Sequence, residues 1–578
     1  MTPPLDVAPG GVPPSAAASP TPAGPRAAYP GPAPAAYRGP APDVLGHSQL
    51  RLAAGVEIVA PLRDGGPWII QDGPERYFRI TADVAAVATA LDGRRGVAQV
   101  AAHLGPRWSP ESVETVVTRL QGFGLLGDRP PREPTGTSGR WRYVPPLTVQ
   151  FRVLDPAAAL APLAPLIRVV MSRPGLVAQT LLTLAGLAAL GLRPTEVWLA
   201  ATTPLPLTSY GVVALAFVLA TAIHEFGHGA VLTGHGGHPH RMGVMLFYLA
   251  PAFFCDVSDG WRLPHRWQRV QIAMSGISTQ ALVGSVAALA SCLPAAAPVR
   301  SELILFASGA FLGGLLNLIP FVKFDGYLAL MSHVDVPRLR EKAMADARQF
   351  LGWVLIGTRR TPALPQFRWT VAYGIGCLLF PFVLVTQGVS LWATALSQIG
   401  ILGLVGMLVG IGGGILVVAR GWRAIVVDGL RHGASRVRIA VASALLVGAA
   451  IAGLVGIQVP RVVQGGYFTD AAGLHFILPA AVPEGSMTAG DPVDLFRSGI
   501  FGRQQIGTTA LADPTPAGRV GPISAVAPVT TTLTTTYART VPLAPVDTTA
   551  APAGIATWTG PRVPLWVFIR DTYLLPLR

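Results

Sequence analysis

Residues 208–230, TSYGVVALAFVLATAIHEFGHGA, join an apolar stretch of membrane-spanning length to three ionisable side chains near its end. About 20 apolar residues allow a helix to cross about 30 Å of hydrocarbon, because the helix rises about 1.5 Å per residue. Other stretches of this kind occur at residues 175–193, 270–293, 301–322, 369–390, 398–419 and 439–458. The sequence therefore predicts a polytopic α-helical membrane protein with about seven spans.

The overall composition agrees with a membrane protein. Of the 578 residues, 51% are hydrophobic and only 13% are charged, a balance that is unusual for a soluble domain of this length. The net charge of +14 lies in short arginine-rich segments beside the apolar stretches, which argues against a nucleic-acid partner. The three cysteines, Cys255, Cys292 and Cys377, are too few for a disulfide framework or a cysteine-based metal site.

The positions of the basic residues predict the orientation in the membrane. Arginines cluster before the first span and in the loops after the second, fourth and sixth spans, whereas the alternate loops, such as 201–209 and 293–302, are nearly uncharged. Basic loops stay in the cytoplasm, and the first residues show no secretory signal peptide. We therefore expect a cytoplasmic N-terminus and an extracytoplasmic C-terminus.

Outside the spans the chain divides into regions of different composition. Residues 1–45 are rich in Pro, Ala and Gly and are expected to be disordered. Residues 46–128 combine strand-like stretches with two helical patterns, which predicts a small winged-helix domain. Residues 129–173 are interpreted as a basic linker and an interfacial segment. Residues 459–578 lack a long apolar stretch and indicate a β-rich extracytoplasmic module.

The ionisable residues in the second predicted span form the strongest motif. His224, Glu225 and His228 fit the pattern HExxH. Residues four apart lie on one face of a helix, so both imidazoles can bind one zinc ion while the glutamate acts as general base on its water. Two surface histidines are the alternative interpretation, but ionisable groups in an apolar span are costly without a function. The motif therefore predicts one Zn²⁺ per chain.

A catalytic zinc site of this kind needs a third protein ligand, with the fourth position left to water. The extended metzincin pattern fails, because Val231 and Gly234 occupy the positions of its glycine and third histidine. A downstream glutamate fails as well, since Glu302 is predicted on the far side of the membrane. The best-placed acids that remain are Asp256, Asp259 and Asp325.

Two motifs together resemble those of the site-2 protease family of intramembrane zinc metalloproteases. HEFGH lies in one span, and residues 317–326, NLIPFVKFDG, end a later one. They match the motifs HExxH and NxxPxxxxDG in their order, in their spacing and in the inferred side of the membrane. The match covers residues 175–345. It implies a zinc metalloprotease core at residues 174–345, followed by additional membrane spans at residues 346–458.

The resemblance also implies roles for individual residues. The implied zinc ligands are His224, His228 and Asp325, with Glu225 as the catalytic base. The residues implied to shape the Asp325 loop and to contact the substrate are Asn317, Pro320 and Gly326. The small-residue patch of the family corresponds to Ser275 and Gly276, although the sequence here is SGIS rather than the more usual Gly-Pro form.

One strand is predicted between the two motifs. Residues 243–251, GVMLFYLAP, could form a buried strand whose free edge aligns a substrate in extended form. An extended substrate is attractive because helical peptide bonds are shielded by their own hydrogen bonds.

The N-terminal region is similar to another known element. Residues 76–80 (RYFRI), residues 91–93 (LDG) and a helix ending in residues 120–126 (LQGFGLL) resemble the winged-helix recognition element of peptide-natural-product pathways, including the PQQ-biosynthesis D type. Such elements bind a leader peptide as an added strand. Fused to a membrane metalloprotease, this element resembles the peptide zinc metalloproteases of ribosomally synthesised, modified peptides, such as the daptide pathways. The combination implies removal of a leader from a hydrophobic precursor at the cytoplasmic membrane face.

Two alternatives stay open. A regulatory site-2 protease would release a membrane-tethered transcription factor or anti-sigma factor, and a PDZ-like insertion, which would favour it, is not seen in the sequence. A non-hydrolytic adaptor would use its C-terminal module to tether a peptide exporter and its N-terminal domain to deliver the peptide. The expected partners are a precursor peptide with its leader, the lipid bilayer and, for the adaptor, an exporter.

Overall fold

The computed structural model describes residues 50–61, 67–72, 76–127, 141–144, 148–247, 250–397, 401–431, 433–478, 487–531, 533–534, 538–546 and 551–571. Residues 1–45, predicted to be disordered, lie outside the described residues. The chain forms two compact units, Met1–Ala164 with Gly229–Ile272 and Pro165–His228 with Ala273–Arg578.

Strands and helices are numbered along the chain. The strands are β1 (Val56–Val59), β2 (Trp68–Asp72), β3 (Arg76–Ile80), β4 (Trp141–Val144), β5 (Thr148–Leu154), β6 (Leu205–Pro206), β7 (Met242–Phe247), β8 (Ala250–Cys255), β9 (Gln458–Asp470), β10 (Gly473–Ile477), β11 (Pro492–Ser498), β12 (Arg503–Ala510), β13 (Ala517–Arg519), β14 (Val529–Thr530), β15 (Ala538–Pro542) and β16 (Ala553–Pro564). The helices are α1 (Ala82–Ala90), α2 (Val97–Leu104), α3 (Pro110–Gly122), α4 (Pro156–Leu160), α5 (Ala164–Val170), α6 (Arg173–Gly191), α7 (Pro194–Thr202), α8 (Leu207–Gly234), α9 (Arg266–Ala290), α10 (Ala297–Asn317), α11 (Asp325–Val334), α12 (Leu339–Ile356), α13 (Thr370–Ser397), α14 (Ile401–Arg431), α15 (Arg436–Gly456) and α16 (Leu565–Ile569).

The first unit begins with a three-stranded antiparallel sheet of order β1-β2-β3 and the helices α1, α2 and α3. Thr81 caps α1 by accepting a hydrogen bond from the Val84 amide, and Ser109 caps α3, where Pro110 takes the first helical position. The sheet and the helices share one core, in which Phe78 and Leu120 are fully buried. A winged-helix assignment for this region stays a prediction.

A second sheet in the first unit has the order β4-β5-β7-β8, with all pairs antiparallel. Its first two strands lie in the segment interpreted as a linker and interfacial segment, where TVQFRVL, residues 148–154, alternates polar and apolar side chains as a strand does. β7 pairs on both sides, with β5 and with β8. The predicted free edge of the strand at residues 243–251 is therefore wrong for β7, because a strand from upstream occupies that edge.

The second unit contains most of the apolar helices. Among the described residues, six helices are long and apolar enough to cross a membrane: Arg173–Gly191, Leu207–Gly234, Arg266–Ala290, Ala297–Asn317, Leu408–Arg431 and Arg436–Gly456. The remaining predicted span, residues 369–390, coincides with the start of α13, where Thr370–Leu384 is a shorter apolar helix. The prediction of several membrane-length helices is confirmed, while their orientation stays a prediction.

The C-terminal region is rich in β-structure, as the sequence predicts. Seven strands form an antiparallel sheet of order β12-β11-β16-β9-β10-β15-β13. β9 starts at Gln458, directly after the end of α15, and alternates half-buried with exposed residues along its first part. Tyr467, Phe476 and Trp558 are fully buried in the core of this module.

Candidate metal centre

Helix α8 carries three potential ligands in its second half. His224 and His228 are one turn apart and only 5% and 6% exposed, and their Nε2 atoms lie 3.2 Å apart. Glu225 is half-buried between them in sequence. One ligand atom from each of the three residues lies within 4.8 Å of the others, so the cluster could hold a metal ion.

Asp325 lies at the same place, brought there by the start of α11. Its Oδ2 is 2.9 Å from Nε2 of His224, and its Oδ1 is 3.4 Å from Nε2 of His228. Oδ2 is buried and has no partner with hydrogen-bond geometry among the described residues. A buried carboxylate oxygen without such a partner is costly, unless a cation binds it. The third ligand implied by the resemblance therefore faces both histidines.

The separations of these donor atoms fit a single metal ion. Three donors that bind one ion at about 2.0–2.2 Å with tetrahedral angles lie about 3.3 Å from one another. The two Nε2 atoms lie 3.2 Å apart, Asp325 Oδ2 lies 2.9 Å from that of His224, and Asp325 Oδ1 lies 3.4 Å from that of His228, so each separation is within a few tenths of an ångström of this value. The residues present therefore fit a metal ion with three protein ligands.

Gly276 on α9 keeps the space before the two imidazoles open. A Cβ at this position would lie 2.4 Å from Nε2 of His224 and 2.5 Å from Nε2 of His228. Every other residue type would place its side chain where the donor atoms converge. The small residue expected from the resemblance thus has a steric reason here, although the surrounding sequence departs from the family pattern.

Two polar side chains of α9 orient the imidazoles from behind. Gln280 Oε1 is 3.2 Å from Nδ1 of His224, and Ser275 Oγ is 3.3 Å from Nδ1 of His228. Ligating histidines commonly bond through their second ring nitrogen in this way, which fixes the ring and its tautomer. Gln280 was missed in the sequence, although its position four residues after Gly276 puts it on the same helix face.

The loop residues implied by the resemblance lie around Asp325. Asn317 is the last residue of α10 and is half-buried. The carbonyl of Pro320 accepts a hydrogen bond of 2.7 Å from the Tyr373 hydroxyl. Gly326 approaches Leu318 so closely that a Cβ would lie 2.0 Å from the Leu318 carbonyl oxygen. A glycine is therefore required directly after Asp325, and the loop folds back on itself.

The other two acidic candidates, Asp256 and Asp259, form hydrogen bonds and an ion pair with residues of the first unit. Asp259 is 2% exposed, accepts a hydrogen bond from the His238 amide and pairs with Arg262 at 3.0 Å. Asp256 accepts hydrogen bonds from the amide and the hydroxyl of Ser258. Asp256 thus stabilises the start of the 3₁₀ helix Ser258–Arg262, and Asp259 joins this helix to the segment at His238, which favours a structural interpretation of both carboxylates.

The charge of the Asp325 carboxyl suits a metal ligand. Burial raises the pKa of this group, but the neighbouring imidazoles of His224 and His228 outweigh the burial and lower the pKa to about 2. Because the ordinary pKa of an aspartate is also far below 7, the group is an anion at neutral pH in either case, and the anion is the form that binds a cation.

The chain was compared with protein-family models, curated proteins and solved structures. No protein-family model matches the chain, and no curated protein or solved structure is significantly similar to it.

Proposed function

We propose that this chain is a membrane-embedded zinc endopeptidase. The observation that carries the proposal is the convergence of two imidazoles and one carboxylate, from His224, His228 and Asp325, on a space that Gly276 keeps open. Two histidines with one carboxylate are a ligand set of catalytic zinc, whereas magnesium and calcium prefer oxygen ligands alone. We therefore expect one Zn²⁺ per chain.

Hydrolysis of a peptide bond follows from this arrangement. A bound zinc ion would lower the pKa of a coordinated water to about 7 and polarise the carbonyl of the substrate. Glu225 would accept a proton from the water as the C–O bond forms and would donate it to the amide nitrogen as the C–N bond breaks, so that the amine leaves neutral. Gln280 and Ser275 keep the two imidazoles oriented while this happens.

The substrate in this proposal is a ribosomally synthesised, modified peptide whose leader is removed at the cytoplasmic membrane face. The support comes from the N-terminal region, where β3 is an edge strand of a small sheet whose sequence resembles leader-binding elements. An edge strand can bind a peptide by adding it to the sheet. The apolar helices support a multi-pass location in the cell membrane. The arginine-rich loops support an orientation with the N-terminus inside and the C-terminus outside, and a hydrophobic precursor would suit a site in this environment.

Glu225→Gln tests the proposal. The full chain is reconstituted in lipid nanodiscs, its zinc content is measured by mass spectrometry, and cleavage of a quenched fluorescent library of apolar peptides is followed. We expect one zinc per chain in both forms and a loss of cleavage of at least about 10²–10⁴-fold in the variant.

Glu302→Gln is the matched control, because it removes the same charge from α10 and should leave cleavage unchanged. Absence of zinc from the wild-type chain would overturn the proposal. Equal cleavage by Glu225→Gln and the wild type would overturn it too, and would favour a non-hydrolytic adaptor.

A further inference from the structure

The loop that presents Asp325 is held from outside the two motifs. Two consecutive carbonyl groups of this loop, which we define as residues 318–324, accept hydrogen bonds from side chains that lie later in the chain. Tyr373 Oη on α13 donates to the Pro320 carbonyl at 2.7 Å, and Arg340 Nε on α12 donates to the Phe321 carbonyl at 3.0 Å. Each bond fixes one peptide plane of the loop, within five residues of the metal ligand.

The side chain of Phe321 is also held by α13. Its ring lies 6.0 Å from the ring of Tyr373 and 5.6 Å from that of Phe380, measured between centroids. Gly376 lies between these two aromatic residues in sequence, and a Cβ on Gly376 would lie 2.6 Å from the Phe321 ring. α13 therefore carries a glycine at the point where the Phe321 ring packs, with an aromatic ring on either side of it.

The two helices that hold the loop pack closely against each other. Gly374 of α13 approaches α12 so closely that a Cβ would lie 2.0 Å from the Ala343 carbonyl oxygen. Asp346 of α12 is 1% exposed, and its carboxylate accepts hydrogen bonds from the Ala363 and Leu364 amides and from the Thr370 hydroxyl. These bonds fix the connection between α12 and α13, so Arg340 and Tyr373 keep their relative positions.

We propose that α12 and α13 act as a brace that sets the position of Asp325 relative to His224 and His228, with Arg340 and Tyr373 as positioning residues. This inference rests on the proposed function, because it concerns the affinity of that site for its metal. The ligand contacts of 2.9 and 3.4 Å leave little room for displacement, since a metal ion requires its donors within a few tenths of an ångström. Supporting residues of metal sites typically change the metal affinity by about 10–100-fold.

The exposed ion pair beside the loop is not part of the brace. Lys323 and Glu341 lie 2.9 Å apart, but their side chains are 64% and 39% exposed. Pairs of this kind contribute between about 0 and 1 kcal/mol, because water screens them. Lys323→Gln should therefore leave the metal affinity unchanged, which makes it a useful control inside the loop itself.

Tyr373→Phe tests the brace, because it removes only the hydroxyl that binds the Pro320 carbonyl. The matched control is Tyr210→Phe, since the Tyr210 hydroxyl also donates to a proline carbonyl, that of Pro528, elsewhere in the same unit. The rate at which the full-length, nanodisc-embedded protein loses zinc to a chelator is measured together with the Tm of the metal-free protein. We expect zinc loss to be about 10–100-fold faster in Tyr373→Phe, with unchanged zinc loss in Tyr210→Phe and similar Tm values for both.

Substitutions of Arg340 provide an independent test, which remains informative if Tyr373→Phe does not fold. Arg340→Met should accelerate zinc loss, and Arg340→Lys should restore part of the wild-type rate, because an ammonium group can still donate to the Phe321 carbonyl. Wild-type rates of zinc loss in Tyr373→Phe and Arg340→Met would overturn the brace while leaving the proposed function intact. A wild-type chain without zinc would instead overturn the proposed function.

Discussion

Gln280 Oε1 lies 3.2 Å from Nδ1 of His224, whereas the other ring nitrogen of His224, Nε2, faces Asp325. The amide nitrogen of Gln280 donates to the Ala310 carbonyl at 3.1 Å. Because this bond fixes the amide, its oxygen faces the ring and accepts the proton of Nδ1. Nε2 of His224 then keeps its lone pair for a metal ion.

Replacement of Gln280 should weaken metal binding. In Gln280→Leu the Nδ1 proton of His224 loses its acceptor, so the ring can turn or change tautomer, and we expect the zinc affinity to fall by about 10–100-fold. Gln280→Glu should retain zinc, because a carboxylate accepts the same proton. The measurement is competition with a chelator of known affinity.

The control for this prediction is another glutamine that contacts a histidine. Gln271 Oε1 lies 2.9 Å from Nε2 of His235 in an exposed pair. Gln271→Leu should leave the zinc affinity at the wild-type value. An equal loss in both variants would mean that the effect comes from general destabilisation of α9.

Addition of one methyl group at Gly276 should remove the metal. The new Cβ in Gly276→Ala would lie within 2.5 Å of both Nε2 atoms, so the imidazoles must turn away from the position in which they bind an ion. Overpacking of this kind costs about 1–3 kcal/mol, so the variant should still fold. Zinc content and Tm measured on the same sample separate the two effects.

Gly211→Ala is the matched control on α8, the helix that carries His224 and His228, because a Cβ at Gly211 would have no atom within 4 Å. Replacement of a glycine inside a helix typically stabilises it by about 0.5–1 kcal/mol. We expect wild-type zinc content and an unchanged or higher Tm. Full zinc content in Gly276→Ala would contradict the steric role of Gly276.

The first unit should depend on a buried ion pair. Arg262 pairs with Asp259, whose side chain is 3% exposed, and also donates to the Ala60 carbonyl. Arg262→Met leaves the carboxylate buried without its cation, which typically costs about 3–5 kcal/mol. Arg152→Met removes an arginine from a pair with Asp155 of the same spacing, 43% and 53% exposed, and should cost less than about 1 kcal/mol. Thermal unfolding in detergent compares the two variants, and similar losses would contradict the prediction.

Alkaline pH should destabilise the same region through Tyr77. Burial, together with Asp256 and Asp259, raises the pKa of the Tyr77 phenol to about 12. The unfolded chain ionises near pH 10, so the contribution of Tyr77 to stability is complete below about pH 10 and is lost as the pH rises towards about 12. Tyr77→Phe should therefore lose less stability between about pH 9 and about pH 11 than the wild type does.

Tyr143→Phe is the control for this titration, because Tyr143 is 46% exposed. This substitution removes the same hydroxyl from a surface position, so comparison of the two variants isolates the effect of the buried phenol. An identical pH dependence in Tyr77→Phe and the wild type would contradict the role of Tyr77.

The three cysteines can test the predicted orientation. Cys292 is exposed after α9, Cys255 is half-buried at the end of β8, and Cys377 is buried. A membrane-impermeant maleimide added to intact cells should modify Cys292 and leave Cys255 unmodified until the membrane is opened. Modification of Cys255 first would reverse the predicted orientation.

Short-range sequence patterns predicted the features that depend on neighbouring residues. The apolar stretches predicted the long helices, and the four-residue spacing of His224 and His228 predicted that both imidazoles share one face. Spacing alone left three acids as the third ligand, and only the resemblance pointed to Asp325. The structure places that carboxylate against both histidines.

Contacts between distant segments could not be predicted in the same way. The segment of β5 was interpreted as interfacial. Its pairing partner β7 lies about 90 residues further along the chain, so no nearby residue indicated a sheet. The open space at Gly276 depends on how closely α9 approaches α8, and the bonds of Arg340 and Tyr373 to the loop depend on the packing of three helices. No single-sequence pattern encodes these distances.

The brace sets the length of the smallest fragment that can function. A truncation drawn at residue 345, the end of the two-motif region, would retain His224, His228 and Asp325. It would remove the contacts that Tyr373, Gly376 and Phe380 make with the loop, and it would end one residue before Asp346, whose carboxylate joins α12 to α13. A catalytic fragment of this protein should therefore extend through α13.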